Sequence, residues 1–109
     1  MAEPTIAQLF GASATQTANT LTIQKADLAT VGLTASANNS AESLFVALLL
    51  LAKNQLTDTN QTSNPEQSIT IADSYDSIVN RNNLSYRQKT YSVNLQKIDA
   101  ATGIDPDDY

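Results

Sequence analysis

The sequence predicts an α+β fold: a small antiparallel sheet of three to four strands, one central apolar helix, and extended termini. Three observations predict it. The run Leu44–Ala52 is wholly apolar and is flanked by good helix formers. Short segments at 20–24, 68–72 and 90–96 alternate apolar and polar residues, the period of a strand with one face inward. The stretches 11–20 and 98–109 are polar and carry no hydrophobic period. The expected organisation is an anchor and linker arm over 1–20, a core domain over 21–97 and an acidic tail over 98–109.

Taken in order, Ile6, Leu9 and Phe10 have the i, i+3, i+4 spacing of one helical face, with Pro4 before them and Gly11 where a C-terminal cap would sit. This predicts a short anchoring helix, followed by an extended linker over 11–20. Thr20–Gln24 reads as a strand with Leu21 and Ile23 inward. The chain then leaves the sheet through Asp27 and Gly32, with Leu28, Val31 and Leu33 near the core.

Asn39 is a favourable N-cap and Glu42 stands three residues on, the spacing of a capping box. The main helix is therefore expected from Ser40 to Gln55, with Lys53 complementing the dipole in its last turn. Thr57–Gln67, built from Asp, Asn, Gln, Ser, Thr and one Pro, reads as the clearest and most flexible loop. Ser68–Ala72 and Thr90–Gln96 read as strands around Ile69, Ile71, Tyr91, Val93 and Leu95. Between them Tyr75, Ile78 and Val79 fit either a helical turn or a strand, and Asn82-Asn83 marks a turn.

Composition narrows the function classes. A charged fraction of 16% leaves hydroxyl and amide groups to supply much of the solubility. The net charge of −5 disfavours general nucleic-acid binding, which depends on cations neutralising phosphates. With no cysteine and no histidine, neither a thiolate nucleophile nor a zinc-thiolate site is expected. Met1–Pro4 lacks a basic region and a long apolar stretch behind it, so no secretory signal is expected. The apolar run is far shorter than the roughly 20 residues of a membrane span.

No constellation points to a reaction. Asp58, Asn60 and Thr62 start like a calcium loop, but Ser63 replaces the turn glycine and Ile69 stands where a bidentate glutamate should close the site. Asp105, Asp107 and Asp108 sit beside Gly103, poorly organised for a hard cation. Asp73 with Asp76, or a serine with Lys25, lacks any supporting catalytic signature. The expectation is a non-enzyme with no cofactor, no metal, no small-molecule substrate, no nucleic acid and no membrane partner.

The charge order is more informative. Arg81, Arg87, Lys89 and Lys97 hold four of the six basic side chains, and no acid lies between Asp76 and Asp99. The acidic tail, ending in Asp105, Asp107, Asp108 and Tyr109, is suited to pair with that basic stretch, in its own chain or in a neighbour. A helix apolar on every face asks for cover on every side, and a short chain supplies little of it. Leu44, Phe45, Leu48 and Leu49, together with Ile6, Leu9 and Phe10, are therefore expected interface residues beside the four bases and the tail.

With TIAQLFG (5–11), LTIQKADL (21–28), NNSAESLFVALLLLA (38–52) and IDPDDY (104–109) in view, the chain resembles the small structural proteins encoded by tailed bacteriophages. The resemblance lies in overall character rather than in a motif, with a short anchor, a low-charge body rich in Ser, Thr and Asn, one apolar helix, a few strands and an acidic tail. It implies a structural subunit of a capsid, connector, tail, baseplate or fibre attachment, assembled in the host cytoplasm into a virion with copies of itself and other virion proteins. The alternative is a small host-side adaptor or regulatory binding module in the cytoplasm, using the same apolar helix against one partner.

Overall fold

The computed structural model describes residues 4–97 and 106–109. Helix α1 (Ile6–Phe10) begins with a reciprocal cap: Gln8 N–H donates to Thr5 Oγ1 at 3.2 Å and Thr5 N–H donates to Gln8 Oε1 at 2.8 Å. It packs against the main helix of the same chain. Gly11 follows at φ 113°, a left-handed backbone open to glycine. Its missing side chain matters as well, since a Cβ there would lie 2.6 Å from Asp27 Cβ.

The expected linker contains a small hairpin. Strand β1 (Thr15–Gln16) pairs antiparallel with β2 (Leu21–Thr22), closed by Thr17 N–H donating to Thr20 O at 2.9 Å. Strand β2 is shorter than expected, and Leu21 is exposed rather than inward while Ile23 is half-buried. The chain turns at once into a 3-10 helix, Lys25–Val31, which ends on left-handed Gly32 and buries Leu28. Ser13 N–H donates to Asp27 Oδ2 at 2.8 Å, tying this turn back to the segment after α1.

Helix α2 (Ala41–Gln55) is the expected apolar helix with a different cap. Asn39 is already engaged: its Oδ1 accepts from Ser36 N–H at 2.9 Å and its Nδ2 donates to Thr34 O at 3.0 Å. Ser40 caps instead, its Oγ accepting from Ser43 N–H at 3.1 Å. The segment expected to be a flexible loop contains α3 (Asp58–Ser63), with Thr57 as N-cap. Its amide and hydroxyl side chains are used locally. Asn60 Nδ2 donates to Gln55 O at 2.8 Å, and buried Gln67 donates to Thr57 O at 3.1 Å and Ile69 O at 2.8 Å. The polar composition that suggests a loop is here spent on caps and side chain–backbone bonds, through Thr57, Asn60, Gln61, Thr62 and Gln67.

The remaining elements form one long hairpin, β3 (Ile69–Arg81) with β4 (Leu84–Leu95), joined by Asn82-Asn83. Both turn residues have positive φ, 52° and 62°, the backbone of a two-residue hairpin turn that matches strand twist. The sheet expected to have three to four strands is thus two separate two-stranded sheets. Strand β2 satisfies its hydrogen bonds with polar β1 and never reaches the long hairpin. Ile71 N–H instead donates to Leu56 O at 2.8 Å, so the end of α2 covers the β3 edge at the hairpin base.

The core is small. Among the described residues only Leu28, Ala47, Leu56 and Ile71 are buried apolar side chains. The radius of gyration is 16.3 Å, against about 13 Å for a compact domain of this length. The accessible surface of 7986 Å² compares with about 5,900 Å² for a compact monomer of this mass.

Candidate interaction surface

The hairpin leaves the body where its register shifts. Asp73 faces Tyr91 but Asp76 faces Lys89, so Ser74 and Tyr75 stand together against Thr90. This β-bulge reverses which β3 side chains share a face. Below it Ile69, Ile71 and Asp73 lie on the face of Tyr91, Val93 and Leu95; above it Asp76, Ile78 and Asn80 join that same face with Lys89, Arg87 and Ser85. The opposite distal face gathers Val79, Arg81, Leu84 and Tyr86. Beyond the bulge every residue except Ser77 and Tyr86 is exposed, over a length of about 20 Å at the usual strand rise.

That distal face is ordered by its own contacts. Val79 and Tyr86 are cross-strand partners, and the Arg81 guanidinium lies 4.3 Å from the centroid of the Tyr86 ring. Leu84 stands beside them 59% exposed. A two-stranded ribbon is marginal in water by itself, and this one offers apolar and aromatic side chains to solvent.

Helix α2 offers a second patch. Phe45 is 66% exposed and Val46 50% exposed, whereas Ala47 on the next position is buried. Beside Val46 runs an open groove of about 310 Å³ between the 3-10 helix and the first half of α2, walled by Val31, Leu33, Val46, Ala47 and Leu50 with Glu42 and Ser43 at its polar side. At the other end of α2, Lys53 Nζ lies 3.4 Å from Asp73 Oδ2 and 5.5 Å from the Tyr91 ring centroid. This fixes the hairpin base to the helix. As an exposed ion pair it contributes no more than about 1 kcal/mol.

The structure distributes the sequence-predicted interface residues unevenly. Ile6, Leu9 and Phe10 are half-buried in α1, which rests on α2 of its own chain. Leu44, Leu48 and Leu49 are half-buried, so Phe45 is the member of the helix set that stands in solvent. Of the bases, Lys89 is paired with Asp76 across the strands at 3.5 Å, Arg81 stacks on Tyr86, and Arg87 lies exposed opposite Ile78. Lys97 Nζ lies 4.9 Å from the ring centroid of Tyr109, so the last residue of the tail meets the basic stretch within one chain. Asp107 and Asp108 belong to a short 3-10 helix, Pro106–Asp108, and Asp105 lies outside the described residues.

The apolar members of the distal hairpin, Ile78, Val79 and Leu84 with Tyr75 and Tyr86, were not among the predicted interface residues. Their alternation is broken by the bulge, which the sequence alone does not mark. Asp73 and Asp76, three positions apart in the sequence, are each matched to a cation, Lys53 and Lys89. No helix is long and apolar enough to cross a membrane among the described residues.

No protein-family model, curated protein or solved structure matches the chain.

Proposed function

We propose that this protein is a non-enzymatic structural subunit that packs with copies of itself and with other structural proteins of a tailed-phage or phage-tail-like particle. One observation carries the proposal: large apolar side chains remain in solvent on two separate elements, Phe45 and Val46 on α2 and Tyr75, Ile78 and Leu84 on the hairpin, around a core of four buried apolar residues among those described. A subunit whose stability and solubility are completed by neighbours has this distribution. The extended dimensions, 47 × 32 × 26 Å, suit an element that reaches across to a neighbour rather than one that closes on itself.

Sedimentation velocity across the micromolar range tests the assembly part. The proposal expects concentration-dependent association; a chain that stays monomeric, folded and soluble throughout would sink it. The particle part is tested by the genes beside this one, where capsid and tail genes are expected, and by mass spectrometry of purified particles from the same source.

A further inference from the structure

We infer that the hairpin tip of one copy seats in the groove between the 3-10 helix and α2 of the next copy. The inference rests on the structural-subunit proposal above and names the contact. It joins two surfaces that are both open in one chain: the distal face of Val79, Arg81, Leu84 and Tyr86, and the groove walled by Val31, Leu33, Val46 and Leu50. They do not satisfy each other in cis. The hairpin base is fixed at the far end of α2, by Ile71 on Leu56 and by Lys53 on Asp73, and Leu84 and Val46 both stay half or more exposed.

Chemistry and charge identify the occupant as a second copy. The groove has aliphatic walls, and the tip presents an aliphatic Leu84 flanked by an aromatic ring and a guanidinium, the residue types that anchor interfaces. On a chain of net charge −5 the distal hairpin is a basic island: Arg81, on the face of Leu84 and Tyr86, has no ion-pair partner among the described residues, and neither has Arg87 on the opposite face. Glu42 at the groove mouth is exposed and likewise carries no ion pair there. An acidic protein otherwise repels its copies, and bringing the basic tip to Glu42 is the orientation that turns repulsion into attraction. Tip and groove are different surfaces, so the contact closes reciprocally in a two-fold dimer or propagates head-to-tail into a ring or an open chain.

The test uses the full chain with two substitutions at exposed positions, Leu84→Asp on the tip and Val46→Asp in the groove, each checked by circular dichroism. Each variant alone should associate at least about tenfold more weakly than the wild type. Mixed in equal amounts they should form a one-to-one complex, because Leu84 of one variant and Val46 of the other restore a single intact contact. Arg81→Glu and Glu42→Arg should each weaken association, and the two together in one chain should restore it.

Wild-type association unchanged by either substitution overturns the tip-in-groove contact and leaves the structural-subunit proposal standing. Loss in the groove variant alone assigns the groove to another part of the second copy and overturns the role of the tip. Loss in both variants without recovery on mixing means that each surface meets its own like in the second copy and overturns the tip-in-groove contact. A wild-type chain that never associates overturns both proposals.

Discussion

Replacing Leu28 with alanine and, separately, Phe45 with alanine distinguishes the chain's own core from the exposed surface proposed to meet other copies. Leu28 is 2% exposed, the most enclosed large side chain among those described, and sits where the 3-10 helix meets α2. Leu→Ala at such a site removes transfer energy and leaves a cavity, together about 2–5 kcal/mol. Domain stability runs from about 5 to 15 kcal/mol, and so small a core places this one near the lower end. Leu28→Ala should therefore remove about 40% or more of the stability and lower Tm by at least about 8 °C. Phe45 is already 66% exposed, so the truncation forfeits burial of roughly 70 Å², less than about 2 kcal/mol, and alanine's helix propensity recovers about 0.5 of it. Urea unfolding followed by circular dichroism, at a dilution where the chain is monomeric, measures both. Equal losses for the two variants, or a Leu28→Ala loss below about 1 kcal/mol, would refute this division between core and interface.

Two further changes test the backbone account. Asn83→Gly should stabilise the hairpin by up to about 1 kcal/mol, because Asn83 sits at φ 62°, and Asn82→Val should destabilise it by roughly 1–2 kcal/mol; denaturation and NMR of the Arg81–Leu84 pairing read both. Gly11→Ala should cost roughly 1–3 kcal/mol, since φ is 113° and the new Cβ meets Asp27; repeating it in an Asp27→Ala background should recover part of the loss, and full additivity would show that the clash with Asp27 contributes nothing.

The parts of the fold written in local signals were legible. The Ile6, Leu9 and Phe10 spacing of α1 with Gly11 at its end, the apolar run of α2 with Lys53 in its last turn, and the Asn82-Asn83 turn each depend on residues within a few positions of one another. Elements fixed by more distant partners were not. Helix α3 is held by Gln61 and Gln67, whose amides bond backbone and side chains of the hairpin base, including Gln61 Nε2 to Gln96 Oε1 at 3.0 Å. The continuity of β3 from Ile69 to Arg81 was hidden by the bulge at Ser74-Tyr75, where the alternation changes phase. For the same reason the candidate surface was half legible. The apolar helix was evident, but an all-round apolar pattern does not say that Phe45 and Val46 face solvent while Ala47 faces the core. The charge segregation was equally evident, yet Asp76 answers Lys89 across the hairpin and Tyr109 meets Lys97 within the chain.

Amide hydrogen exchange across the distal hairpin, Ser77 to Gln88, compared between dilute and concentrated samples, separates a buried tip from a free one. These amides, together with those of α2 from Glu42 to Leu50 beside the groove, should gain protection on association, while amides of α3, which lines neither surface, should change little. Unchanged exchange in the distal hairpin, in samples whose sedimentation shows association, would contradict the tip-in-groove contact.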